Sequence, residues 1–259
     1  MDLQLKGRRV LITGGSKGIG LATAISFARE GAQPVLVSRT AATLQKACDT
    51  VAAETGVTPT TLACDLSTAD CLATLVAQMG EVDILVNNAG AIPGGGLADV
   101  DDARWRQAWE LKLFGYINLI RAVLPLMQTR GQGVIANIIG MAGVAPRAEY
   151  ICGSTANAAL IAFTQAIGAA SPQHGVRVFG INPSPTRSDR IEAVLRAQAA
   201  SRLGDADRWL ELAKELPFGR MTEPQEIADL AVFGCSPRCG YLSGSVLNID
   251  GGQMFASAA

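Results

Sequence analysis

Short apolar, β-rich runs alternate with longer helical stretches along the whole chain. RRVLIT (8–13) predicts a strand, GIGLATAISFARE (18–30) a helix ending at Gly31, PVLVS (34–38) a second strand, and the Ala-rich run 41–55 a second helix. TTLAC (60–64) and VDILVNN (82–88) predict strands on either side of a short helix near 68–79. A long helix over about 101–129 leads to GVIANI (133–138), and a helix over about 150–171 leads to VRVFGIN (176–182). Helical segments near 189–215 and 223–235 precede a last strand, VLNID (246–250). Strands that are apolar at consecutive positions are buried on both faces, and helices between them supply the crossovers that parallel strands need. The pattern predicts an α/β, doubly wound, parallel seven-stranded sheet with helices on both faces, as a single domain over 1–259. The least regular stretch, 184–222, is the candidate for a substrate lid.

Composition narrows the class without naming a reaction. Hydrophobic residues make up 49% and charged residues 17% of the 259 positions, enough apolar side chain for a sizeable core. The net charge of −1 gives no basic stripe for nucleic acid and no acidic tail. No apolar run reaches the roughly 18–20 residues of a membrane span. MDLQLKGRRV leads directly into the first strand without the look of a signal peptide, so a soluble cytoplasmic protein is expected. The six cysteines form no CxxC pair and read as reduced, mostly buried thiols; no metal site is expected.

The chemistry begins at TGGSKGIG (13–20), between the first strand and the first helix. Gly14, Gly18 and Gly20 stand where a chain must turn tightly, approach a pyrophosphate and pack helix on sheet, and the helix N-terminus turns its free N–H groups toward the phosphates. With NNAG (87–90) and NPSPTRSD (182–189), this order of motifs resembles the short-chain dehydrogenase/reductase family over nearly the whole chain. The resemblance implies a Rossmann fold, a nicotinamide cofactor, a small-molecule substrate and a homo-oligomer, tetramer or dimer. It implies cofactor contacts from Gly14, Ser16, Lys17, Gly18, Ile19 and Gly20, from Asp65 and Leu66 in CDL, from Asn88, Ala89 and Gly90, and from Pro183, Thr186 and Ser188. Two positions depart from the family pattern: Ser184 stands for Gly and Ser188 for Thr.

The end of the second strand bears on which nicotinamide. It reads Ser38-Arg39-Thr40, with Lys17 in the glycine loop. An acid there would bind the adenosine ribose and repel a 2′-phosphate; two cations and no acid suit the phosphate, so NADP is expected, with NADPH preferred over NADH.

The family's reductases usually carry Asn, Ser, Tyr and Lys, and this chain has none of them in place. The corresponding positions hold Lys112, Gly140, Gly153 and Asn157. Tyr150 stands one turn before Gly153, and Tyr150 and Asn157 lie seven residues apart, on one helix face. That spacing resembles the Tyr-x6-Lys arrangement of enoyl-acyl-carrier-protein reductases. The amide and the ammonium have also changed helices, which makes Lys112 a candidate for delivering the missing charge from the other wall. Tyr150, Lys112 and Asn157 are therefore the candidate catalytic set. The bland alternatives are an exposed Lys112 between Leu111 and Leu113, and a Tyr150 that merely starts a helix. Three readings remain open: hydride transfer between NADPH and a small apolar carbonyl or alcohol, enoyl-type C=C reduction, and cofactor binding without catalysis. Trp209, Leu210, Leu212, Leu216 and Phe218 read either as an apolar cover for the site or as packing within 184–220.

Overall fold

The computed structural model describes residues 1–255. Its strands are β1 (Arg9–Thr13), β2 (Gln33–Ser38), β3 (Thr60–Ala63), β4 (Ile84–Asn87), β5 (Gly133–Ile138), β6 (Val176–Pro183) and β7 (Val246–Ile249). They form one parallel sheet in the order β3-β2-β1-β4-β5-β6-β7, so the chain reverses direction across the sheet between β1 and β4. The helices are α1 (Gly18–Arg29), α2 (Ala41–Thr55), α3 (Ala69–Gln78), α4 (Asp102–Trp109), α5 (Gly115–Arg130), α6 (Ile151–Ala170), α7 (Asp189–Leu203), α8 (Trp209–Ala213) and α9 (Pro224–Cys235).

Each strand feeds two cores because successive side chains point to opposite faces. In β1, Val10 and Ile12 face Phe27 of α1, Leu44 of α2 and Ile227 of α9, whereas Leu11 faces the opposite layer with Leu75 of α3 and Leu119 of α5. Strands β2 and β4 divide their residues in the same way. This is the physical reason the runs are apolar at consecutive positions.

The predicted elements agree with the observed ones to within a few residues, with three differences. The long helix expected over 101–129 is interrupted by a π-helical turn, Glu110–Phe114, which holds Lys112. Such a bulge widens the helix locally and rotates the side chains after it, and it recurs at functional sites. Helix α6 is long and apolar enough to cross a membrane by length and composition, against the expectation of no such run, but it packs against β6 and β7 of the sheet. Finally, Cys64 and Cys71 are joined as a disulfide between the end of β3 and the first turn of α3, with Cα atoms 5.5 Å apart, so the six cysteines are not all free thiols.

The excursion 184–222 holds α7 and α8 and has a small core of its own, built from Leu195, Ala199, Trp209, Leu212, Ala213 and Met221. The apolar stripe is thus largely internal packing, with Leu210 and Phe218 left exposed. Its two ends are stapled together: Arg187 N–H donates to Thr222 O (2.8 Å), and Thr222 N–H to Pro185 O (3.1 Å).

Candidate active site

The glycine loop crosses the carboxyl ends of β1 and β4, where the strand order reverses. Asn88 ties it down: its Nδ2 donates to Thr13 O (3.1 Å) and Gly14 O (3.3 Å), while the N–H groups of Asn88 and Ala89 both donate to Thr13 Oγ1 (2.9 and 3.1 Å). A side chain at Gly14 would begin 2.9 Å from Asn88 Nδ2, and one at Gly20 would collide with Gly14 O. Gly18 differs: its φ is +52° and a Cβ there would meet no protein atom within 4 Å. The loop therefore offers a cradle at the start of α1, with Ser16 half-buried and Lys17 exposed at its rim. Lys17 Nζ lies 3.8 Å from Asp189 at the start of α7, a solvated pair of little weight. Ile19 holds the first turn of α1 through its carbonyl, which accepts from Thr23 Oγ1 (2.7 Å).

At the end of β2, Ser38 Oγ is buried with no hydrogen-bond partner, next to exposed Arg39. Leaving such a group unmet costs about 1–3 kcal/mol, so a ligand atom is the natural partner. Asp65 accepts from both the hydroxyl (2.7 Å) and the N–H (3.0 Å) of Ser67. The Ser67 hydroxyl bond, chiefly, and then the backbone bond and the charge of Arg39 hold its carboxyl below the usual carboxylate range, against the opposing effect of burial. Asp65 thus shapes its own loop, and Leu66 beside it is buried in the core.

The other side of the cleft is built differently. Gly90 lies against Lys112, whose Cδ would be 2.8 Å from a Cβ at position 90. The Lys112 stem runs through that gap, and the residue is only 7% exposed. Its Nζ donates to Ile138 O at the end of β5 (2.7 Å) and to Tyr116 Oη (3.0 Å), and sits 4.7 Å from the Tyr116 ring centre. Lys112 is therefore not the exposed residue its flanking leucines suggested, and its ammonium is directed at Tyr116 and β5. Tyr116 itself donates to Ile138 O (2.9 Å), and burial pushes its phenol well above the ordinary value, so it stays neutral. Sequence reasoning missed Tyr116, although it stands four residues after Lys112, at the spacing that brings helical side chains together.

Helix α6 supplies the remaining groups. Tyr150 precedes its first turn, pinned by the pairing of Gly95 with Tyr150 and by Gly95 N–H donating to Glu149 O (2.8 Å). Ser154 Oγ bonds Arg147 N (3.0 Å) and steadies the approach to the helix. The Tyr150 ring folds back over Gly153: a side chain at 153 would have to start inside the ring, 2.6 Å from Oη. The phenol thus fills the side-chain space of the position where the family's tyrosine is expected. Asn157, one turn on, is 4% exposed, and its Oδ1 is buried without a hydrogen-bond partner. Gly140, at the end of β5, leaves room for that carboxamide, since a Cβ there would lie 2.9 Å from Asn157 Nδ2.

After β6, Pro183 ends the strand, Thr186 Oγ1 donates to Ser184 O (2.9 Å), and Ser188 Oγ accepts from Ile191 N (3.3 Å), capping α7. A ladder of amides braces the strand ends beneath: Asn87 Nδ2 donates to Asn137 Oδ1 (3.0 Å), Asn137 Nδ2 to Thr164 Oγ1 (2.9 Å), and Asn182 Nδ2 to Asn248 Oδ1 (2.9 Å). Only NN of NNAG announced this ladder; its other members are scattered through the sequence.

Residues 8–199 match the short chain dehydrogenase family. The chain belongs to the short-chain dehydrogenase/reductase family. It is 31% identical over 257 residues to the 7alpha-hydroxysteroid dehydrogenase of Escherichia coli, covering 97% of this chain and 96% of that protein. It is 30% identical over 254 residues to the 3-oxoacyl-[acyl-carrier-protein] reductase of Vibrio cholerae, covering 97% and 99%. Among solved structures, the L-sorbose reductase of Gluconobacter frateurii, complexed with NADPH and L-sorbose, superposes with a TM-score of 0.90 at 31% identity, over 99% of this chain and all of that one. A 7 alpha-hydroxysteroid dehydrogenase complexed with NADH superposes with a TM-score of 0.84 at 29% identity, over 97% and 96%. Family membership makes this chain an oxidoreductase with a Rossmann fold and a nicotinamide-dinucleotide site. The open cradle at Gly18 and the unmet Ser38 Oγ and Asn157 Oδ1 fit such a ligand at both ends of the cleft.

Proposed function

We propose that this short-chain oxidoreductase uses NADP(H) to interconvert a small apolar carbonyl compound and its alcohol, with Tyr150 as the proton donor. The observation that carries the proposal is the Tyr150 phenol in the side-chain space of Gly153. It restores a phenol, on a part-buried side chain, to the helix face that flanks the strand ends, whereas the other nearby phenol, Tyr116, is sealed in the core. The bound nicotinamide supplies or accepts the hydride. Tyr150 would move the proton at the substrate oxygen, Asn157 Oδ1 would accept from a ribose hydroxyl, and the Gly18 cradle and α1 N-terminus would hold the pyrophosphate.

The related structures hold NADPH in one case and NADH in another, so the end of β2 decides the preference. Ser38 Oγ and Arg39 offer a hydroxyl and a guanidinium for a 2′-phosphate, and the run Ser38-Arg39-Thr40 holds no acid. An apolar substrate is favoured by Leu97, Val144, Leu210 and Phe218, all exposed on segments that border the carboxyl ends of the strands. The 184–222 excursion acts as the lid. Exposed Leu126 on α5 and Tyr241 after α9 offer apolar surface for a homo-oligomer.

The test is oxidation of NADPH and of NADH by the purified protein against ketones, diketones, quinones and enoyl-thioesters. Carbonyl turnover with NADPH favoured is expected. Turnover of enoyl-thioesters alone would replace carbonyl chemistry with C=C reduction. Tight NADPH binding with no turnover on any of them would make the protein a binder.

A further inference from the structure

Gly140 leaves β5 at φ 143° and ψ 144°, a backbone region essentially reserved for glycine. Its N–H donates to Asn182 Oδ1 (3.2 Å), which fixes the turn. The next glycine presses the same turn onto α6: a Cβ at Gly143 would lie 2.7 Å from Ile161 Cδ1 and 2.8 Å from the Asn157 carbonyl carbon. The end of β5 is thereby held against α6, and the Asn157 carboxamide fills the side-chain space of residue 140. Its Oδ1 is buried without a hydrogen-bond partner and is the atom assigned above to the ribose hydroxyl. Its Nδ2 is the end that lies in the space opened by Gly140. The Tyr150 phenol overlies position 153 on the same helix face, and residues 153 and 157 are separated by one turn, about 5–6 Å between side-chain roots.

We propose that Asn157 Nδ2 is the hydrogen-bond donor that holds and polarises the substrate's carbonyl oxygen, reaching it through the gap at Gly140. This rests on the carbonyl reading above. The amide and the Tyr150 phenol converge on one oxygen and divide the work. Bound nicotinamide would supply hydride to the carbonyl carbon, while the oxygen takes the phenol proton and the phenolate regains a proton from water. The amide gives up no proton. It stabilises the negative charge that grows on the oxygen, from a position fixed before reaction begins. Residue 140 contributes nothing except its absent side chain.

The experiment is steady-state reduction of a series of para-substituted acetophenones, with 1-phenylpropane-1,2-dione as the activated member, by the full-length protein and its Asn157→Ala and Asn157→Asp variants. NADPH affinity is measured by fluorescence titration. The aspartate keeps an acceptor at Oδ1 and loses the donor, and it keeps the role testable should the alanine variant fail to fold. The expected result is a fall in kcat of about 10²–10³-fold on acetophenone in both variants. NADPH affinity of the Asp variant stays near that of the parent, and the loss shrinks steadily as the ring substituent withdraws more charge. A loss equal across the series overturns the assignment, because it shows a general positioning effect. So does weakened NADPH binding with kcat intact, which would leave Asn157 a cofactor residue only. Turnover indifferent to both variants removes Asn157 while leaving the carbonyl reading in place. A parent protein that binds NADPH and reduces none of the ketones refutes the carbonyl reading itself, and this assignment with it.

Discussion

Two kinds of glycine line the cleft. At the pyrophosphate end, Gly18 faces open space, and no protein atom lies within 4 Å of where its Cβ would be. At the substrate end, the spaces beside Gly90, Gly140 and Gly153 are filled by the Lys112 stem, the Asn157 amide and the Tyr150 ring. The first kind of glycine makes room for a ligand. The second makes room for a polar side chain that enters from a neighbouring turn or helix. Under the proposed function, a side chain missing at an expected catalytic position is replaced by a group from elsewhere, and the glycine is what admits it.

The largest effect expected is from Tyr150→Phe. The ring still fills the space at Gly153, so the melting temperature stays close to the parent's, while kcat for ketone reduction falls by about 10²–10⁴-fold. Unchanged turnover would reduce the filled glycine to packing and erase the contrast between the two kinds.

Arg39→Asp probes the ligand half. A charge-assisted bond is worth about 1.5–3 kcal/mol, so the preference for NADPH over NADH should drop by roughly ten- to a hundredfold in paired binding titrations. A preference that does not move would detach Arg39 from the 2′-phosphate.

Alanine at two glycines tests the contrast directly. Gly153→Ala forces a methyl into the Tyr150 ring, and overpacking of this kind costs about 1–3 kcal/mol, read as a lower melting temperature with NADPH affinity retained. Gly18→Ala meets no protein atom, so thermal stability falls only by the strain of its positive φ, about 1–2 kcal/mol, while NADPH binding weakens as the methyl enters the cradle. If both variants lose stability and affinity alike, the two kinds of glycine are not distinct.

The smallest structural effect should come from Lys112→Met. The stem is preserved, and Tyr116 Oη still has Ile138 O to donate to. Exchanging a buried charge for a thioether of similar volume is close to neutral, so the melting temperature should shift by no more than about 2–4 °C. A drop in ketone turnover without a stability change would make the Lys112 charge part of the site. Unchanged turnover would leave it a brace between α5 and β5.

Much of the molecule was legible from residue pattern alone. The alternation of consecutive-apolar runs and helical stretches specified a parallel, doubly wound sheet, because a strand buried on both faces has no polar side to show. TGGSKGIG located the glycine turn between β1 and α1, because a strand, a tight turn and a helix N-terminus occur together in few other ways. Helical periodicity set Gly153 and Asn157 one turn apart on α6.

Other features depended on contacts between segments distant in sequence. Nothing in ELKLF distinguishes a solvated Lys112 from one threaded past Gly90 to the carbonyl of Ile138, since that depends on a π-helical turn and on the end of β5 lying opposite. Nor does YICGSTAN state that the Tyr150 ring folds back over Gly153, or that the Asn157 amide fills the space of Gly140 on a different element. Periodicity in a sequence reports which face a side chain takes on its own helix. Which vacancy it fills is fixed only when the facing backbone is packed against it, and in this oxidoreductase those vacancies are where the chemistry is proposed to lie.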